Sequence, residues 1–219
     1  MDSVARKFDL TMLYAAYDAF RRDAARLETV ADPETATRPG SAFGWAAAAA
    51  SWTLFTSHWS LQDRAEKNAL WTVMYAKAAD GPGRIGVVID AMAALALKAV
   101  PLIDGVDAAL EHRDRGALAG YARDLRASVD ALLDFKESNA LPLIQETLTP
   151  FEWGTFDVEI RRELGLRGLG VFLPWLLDGA PDGTRRAVLG LLPPPIRLCY
   201  RARWRPRYLR RGMLAVPAR

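Results

Sequence analysis

A helical spacing of apolar residues runs through most of this chain and limits what it can fold into. Between residues 9 and 30, Leu10, Leu13, Tyr17, Phe20 and Leu27 fall near one stripe of a helix. No segment of useful length alternates apolar and polar residues as a half-buried strand does. The pattern therefore predicts an all-α protein.

Proline and glycine divide this pattern into long helices with short connections. Ser41 is expected to cap the second helix, and Pro101 and Pro142 are expected to bend the third and fourth. Four such helices indicate an up-down four-helix bundle. The predicted helices cover about residues 9–30, 41–79, 84–111 and 115–148.

The last third of the chain has a different organisation. Thr149, Pro150 and Glu152 are typical of a helix start. Shorter helices are predicted near residues 166–177 and 184–192. We therefore divide the chain into a bundle, residues 1–148, and a helical extension packed on it, residues 149–219.

Histidine and cysteine are scarce, which limits metal chemistry. The chain has two histidines, His58 and His112, and one cysteine, Cys199. A zinc site takes about three or four such ligands, so it is nearly excluded. His112 is expected to lie exposed at a helix end. A single cysteine cannot form an intrachain disulfide and suggests a reducing, cytoplasmic location.

No targeting or membrane-spanning segment is predicted. The N-terminus lacks the apolar stretch of a signal peptide. The longest apolar stretches, near residues 43–59 and 91–103, are broken by polar residues and fall short of the roughly 20 residues that a spanning helix requires.

The C-terminus is strongly basic. From Pro195 to Arg219 there are eight arginines and no acid. Such a tail could bind nucleic acid, lie on an anionic membrane, or form a structural extension that spreads arginine stems over an apolar surface. The third interpretation is favoured, so nucleic acid is not expected as a partner, and Pro206 is expected to interrupt any continuous helix. A homodimer is left open.

Several segments resemble a known family in their order and spacing. The segments are YDAFRR, EKNALW, MAALALKAVPLIDGVDAAL and NALPLIQETLTPFEWGTF, followed by LPPPIRLCYRARWRPRYLRR. Together they resemble the hemerythrin-like (HHE cation-binding) domain, and the last resembles the extension of its actinobacterial members. The resemblance covers most of the chain. It implies a four-helix bundle that binds two irons through histidines and carboxylates.

The ligand positions implied by this resemblance carry other residues here. Tyr17, Ala96 and Leu132 stand where the family has histidines, and Lys136 stands where it has a carboxylate. In place of the family's H-H-x-x-E-D the chain has residues 62–67, QDRAEK, so only Glu66 is retained. An ammonium group repels iron, so we expect no metal and no other cofactor. His58, one turn before Gln62, could be a displaced ligand.

Without metals, the centre of the bundle could hold an ion pair or a ligand. We hypothesise that Lys136 pairs with Glu66 where the metals would lie. A small-molecule pocket is expected around this pair. Its walls would be Tyr14, Tyr17, Trp59, Met92, Ala96, Leu132 and Phe135, and its polar groups would be His58, Gln62, Asp63, Glu66 and Lys136.

Such a pocket predicts a cofactor-independent cyclase, isomerase or lyase acting on a hydrophobic small molecule in bacterial specialised metabolism. Glu66 or His58 would act as the base, and Lys136 or Tyr17 as the acid or oxyanion donor. A non-catalytic carrier, sensor or partner subunit is the alternative, and residual iron or oxygen binding is a third. Each candidate also has a structural interpretation. Tyr17 could be a core aromatic, Glu66 with Lys136 a buried ion pair, and His58 a core or surface histidine.

Overall fold

The computed structural model describes residues 7–33, 44–78 and 83–211. Every regular element in these ranges is helical, so the predicted all-α class is confirmed. The predicted cap Ser41 lies outside the described residues. The helices are α1 (Thr11–Ala31), α2 (Trp45–Glu66), α3 (Thr72–Ala78), α4 (Arg84–Glu111), α5 (Arg115–Phe135), α6 (Leu141–Thr147), α7 (Pro150–Leu176), α8 (Asp182–Gly190), α9 (Pro194–Cys199) and α10 (Arg205–Leu209).

Five-residue π-helical turns join some of these helices into longer runs. They lie at Lys67–Trp71 between α2 and α3, at Lys136–Ala140 between α5 and α6, and at Tyr200–Trp204 between α9 and α10. The second and fourth predicted helices are therefore each interrupted by a wider turn, in which an N–H donates to the carbonyl five residues back.

Two of the π-turns come immediately before a proline-containing helix start. Pro142 and Pro206 each occupy the first turn of the helix that follows the π-turn. The helical path thus continues through both prolines. The expectation that Pro206 interrupts any continuous helix in the basic tail is wrong, because the helical run of residues 194–209 continues through it.

The long helices pack unevenly around the core. Helix α5 packs along both α1 and α4, whereas α2 packs mainly on α1 and α7 and touches α4 at few points. Tyr17, Phe20 and Leu132 are fully buried beneath the α2–α4 boundary. This sparse contact leaves a cleft between α2 and α4.

The C-terminal third packs on α1 and α2. The predicted start of α7 is confirmed: Thr149 and Glu152 form a reciprocal capping box. Two helical stretches meet inside α7 at Gly165, whose φ of 53° favours glycine. The second stretch brings Trp175, which is fully buried, into the core against Phe20.

Within the described residues, α4 alone is long and apolar enough to cross a membrane. A helix of this kind was not predicted from the sequence, because only the apolar stretch at residues 91–103 was considered there. That stretch is shorter than the 28-residue helix that contains it. Helices of soluble proteins can have the same length and composition. Only 17% of its most apolar window is buried, however, and Leu97 is 70% exposed, so α4 presents an apolar face to the surroundings.

Candidate ligand-binding cleft and its buried ion pair

Three side chains donate hydrogen bonds to one buried carboxylate, that of Glu66. Lys136 Nζ lies 2.6 Å from Glu66 Oε2. The hydroxyl of Tyr17 and the amide nitrogen of Gln62 each lie 2.9 Å from Glu66 Oε1. All four side chains are buried. A buried carboxylate that is paired and fully hydrogen-bonded avoids the large cost of an isolated buried charge.

The helical register explains why these groups meet. Gln62 and Glu66 are one turn apart at the end of α2, so they share a face. Glu66 directly precedes one π-turn, and Lys136 is the first residue of another. Tyr17 comes from the first half of α1. The ion pair therefore connects the helical run of α2 and α3 with that of α5 and α6, next to the π-turn in each.

Tyr17 is held in its neutral form. Complete burial raises the pKa of its hydroxyl well above the usual value, and the negative charge of Glu66 raises it further. Tyr17 therefore remains a hydrogen-bond donor to Glu66 at any ordinary pH. The Lys136 ammonium lies 5.5 Å from the centre of the Tyr17 ring, which adds a cation–π contact.

A cleft of about 260 Å³ opens between α2 and α4, directly above this cluster. Its wall is mostly apolar. Its polar side chains come from α1 (Tyr17), from α2 (Gln62 and Asp63) and from the first residues of two π-turns (Lys67 and Lys136). Leu97 and Val100 are largely exposed there. The lining residues are Tyr17, Phe20, Trp59, Gln62, Asp63, Lys67, Ala93, Ala96, Leu97, Val100, Leu132, Leu133 and Lys136.

The structure brings most of the sequence-predicted residues together. Tyr17, Gln62 and Lys136 both bind Glu66 and line the cleft, whereas Glu66 itself lies behind them. The other predicted residues that line the cleft are Trp59, Asp63, Ala96 and Leu132.

Other predicted pocket residues lie elsewhere. Met92 is buried in the core, and Tyr14 and Phe135 are half-buried against it, but none of the three lines the cleft. His58 lies between α2 and α7, with its ring centre 4.3 Å from that of Trp175. It therefore faces the C-terminal extension instead of the centre of the bundle, where the sequence predicted it to lie.

His58 has the environment of a core histidine. Burial and the nearby positive charge of Arg22 lower its pKa to about 4. Its Nδ1 atom is buried without a hydrogen-bond partner in the described structure. His58 is therefore neutral at ordinary pH and separate from the cleft. His112, expected to be exposed, is exposed at the end of α4.

Sequence reasoning missed six lining residues: Phe20, Lys67, Ala93, Leu97, Val100 and Leu133. A signal for some of them was present. Ala93, Leu97 and Val100 flank Ala96 at helical spacing, so they share its face of α4. Lys67 is one turn after Asp63, and their side chains form an ion pair of 2.7 Å at the rim.

The residues at the centre do not suit the two irons that the resemblance implies. The oxygens of Glu66 already accept from an ammonium, a phenol and an amide. In the described ranges no three His, Cys, Asp or Glu side chains come together as metal ligands would. Comparisons with protein-family models, curated proteins and solved structures find no match for the chain.

Proposed function

We propose that this protein binds a hydrophobic small molecule in the cleft between α2 and α4. One observation carries the proposal: an apolar cleft of about 260 Å³ whose polar groups converge at one side. Small-molecule sites usually combine these two features. Burial of the exposed Leu97 side chain by a ligand would contribute up to about 2 kcal/mol, which favours an apolar ligand.

The geometry favours binding without catalysis, as in a carrier, a sensor or a partner subunit. The two candidate bases are Glu66 and His58, and neither lines the cleft. The oxygens of Glu66 are also occupied by three donors. A general base must reach the proton that it removes, directly or through one water.

A second candidate function is the cofactor-independent cyclase, isomerase or lyase activity predicted from the sequence. The position of Lys136 favours it, because this ammonium both lines the cleft and is oriented by Glu66. It could donate a proton or stabilise a developing oxyanion on a bound substrate. Turnover by the wild type that is lost in a Lys136→Met variant whose melting curve shows that it is still folded would favour this candidate.

We also propose that the helical core is a hemerythrin-like four-helix bundle whose metal centre has been replaced. The contacts of Glu66 support this proposal. Tyr17 and Lys136, two positions that the resemblance assigns to metal ligands, both bind this carboxylate. Two more such positions, Ala96 and Leu132, line the cleft beside them.

The binding proposal is tested by filling the cleft. Ala96→Phe places an aromatic ring in the cleft, and Ala127→Phe makes the same change on an exposed surface of α5. Binding of octanol to each protein is measured by calorimetry, with the melting temperature as a check on folding. We expect Ala96→Phe to abolish binding and Ala127→Phe to bind like the wild type. Undiminished binding by a folded Ala96→Phe variant would contradict the proposal.

A further inference from the structure

Glu66 determines which hydrogen-bonding groups Gln62 and Lys136 present to the cleft. A carboxylate only accepts, so the Gln62 amide must turn its nitrogen towards Glu66, which leaves its oxygen free. That oxygen accepts no hydrogen bond from the described chain and is not among its buried unpartnered atoms. Gln62 is only 5% exposed and lines the cleft, so solvent reaches this oxygen through the cleft.

Lys136 supplies the complementary group. Its ammonium carries three protons, and within the described residues Glu66 is its one hydrogen-bond acceptor. At least one N–H therefore remains for a ligand in the cleft that this side chain lines. Gln62 and Lys136 bind the two oxygens of the same carboxylate, so Glu66 orients both an acceptor and a donor that line the cleft.

The charges at the cleft cancel. Lys136 is neutralised by Glu66 behind it, and Lys67 at the rim is neutralised by Asp63. An anionic ligand would place a second carboxylate beside Glu66 around one ammonium, in a region of low dielectric where like charges repel strongly. A cationic ligand would face Lys136 directly. The balance of charge therefore favours an uncharged ligand.

We propose that the ligand is uncharged and ends in a hydroxyl or primary carboxamide group that bonds to both Lys136 and Gln62. This inference rests on the proposed binding function and adds the chemical class of the ligand. A hydroxyl oxygen accepts from Lys136 while its proton is donated to Gln62 Oε1, and a carboxamide uses its oxygen and its nitrogen in the same way. The apolar part of the ligand then lies along Ala93 and Leu97 of α4.

The test compares ligands of matched chain length on the full protein at about pH 7, where a carboxylic acid is ionised. The probes are octanamide, octanol, methyl hexyl ketone, octanoate and octylamine, and calorimetry gives each dissociation constant. We expect octanamide and octanol to bind at least about tenfold more tightly than the two charged probes. The ketone, which lacks a donor, should fall between the two groups.

Gln62→Met removes the acceptor and serves as the matched variant, with the melting temperature as a check on folding. It should bring the affinity for octanamide down to that for the ketone and leave the ketone unchanged. Octanoate binding as tightly as octanamide would overturn this inference but leave the binding function standing. If no probe binds, or if Ala96→Phe binds the probes as tightly as the wild type does, both the binding function and this inference are overturned.

Discussion

Lys136 Nζ lies 2.6 Å from Glu66 Oε2, and the two side chains are 9% and 0% exposed. A buried ion pair of this kind adds little stability relative to apolar residues of the same shape. Its effect appears when one partner is lost, because the other charge is then left uncompensated. Glu66 also orients Tyr17 and Gln62, so the pair organises the polar side of the cleft.

Lys136→Met should lower the free energy of unfolding by roughly 3–5 kcal/mol, because Glu66 would remain buried without its cation. The double variant Glu66→Met/Lys136→Met should cost less than the sum of the two single changes. Urea unfolding at neutral pH measures all three variants. Lys67→Met is the control: it breaks the exposed Lys67–Asp63 pair, so it should cost less than about 1 kcal/mol. Equal effects of Lys136→Met and Lys67→Met would show that the buried pair has no special role.

Tyr17→Phe should destabilise the fold by roughly 1.5–3 kcal/mol, because one donor to a buried carboxylate is removed. The raised pKa of Tyr17 gives a second measurement. The hydroxyl is harder to ionise in the folded state than in the unfolded state. Its contribution is therefore complete below the unfolded pKa of about 10 and decreases as the pH rises above that value. Above pH 10, the free energy of unfolding of the wild type should fall more steeply than that of Tyr17→Phe. If the two fall in parallel, the pKa of Tyr17 is not raised in the folded state.

Helical periodicity predicted the all-α fold class and the bounds of α4, because this periodicity depends on local sequence alone. The pairing of Glu66 with Lys136, 70 positions apart, was predicted from the register that the hemerythrin-like resemblance implies. The π-turn at Lys67–Trp71 could not be predicted, since no proline or glycine marks it.

The position of His58 was missed for a different reason. Its neighbours Phe172 and Trp175 come from the C-terminal extension, and their approach to α2 is a long-range packing event without a local sequence signal. The opening of the cleft between α2 and α4 also could not be predicted. It depends on the separation of α2 and α4, whereas periodicity shows only which face of each helix is apolar.

His58 should make the protein less stable in mild acid. Its folded pKa of about 4 lies below the ordinary value of 6.5, so the unfolded state binds the proton more readily. The stability that neutral His58 contributes is complete above pH 6.5 and is lost as the pH falls towards 4. The loss should approach roughly 3 kcal/mol.

His58→Leu is the matched variant for this pH dependence. It should fold well, because Nδ1 of His58 has no partner to lose in the described structure. Its unfolding free energy, measured by urea titration from pH 7 to pH 4, should fall less steeply than that of the wild type. Identical slopes would assign the acid sensitivity to other groups.

The basic C-terminal helix, formed by α9, the π-turn Tyr200–Trp204 and α10, should act as a structural extension through its buried tyrosines. Tyr200 and Tyr208 are buried, whereas Arg203 is exposed and forms no hydrogen bond or ion pair with the described chain. Tyr208→Ala should therefore cost roughly 3–5 kcal/mol of stability, and Arg203→Ala should stay within about 0.5 kcal/mol of the wild type. Urea unfolding measures both.

Heparin chromatography at several salt concentrations separates the structural role from nucleic-acid binding. The buried tyrosine rings are not available to stack on bases, so we expect little retention at physiological salt concentration. Retention at that concentration which decreases steeply as salt is added and which Arg203→Ala weakens, together with a stable Tyr208→Ala variant, would instead assign this helix to polyanion binding.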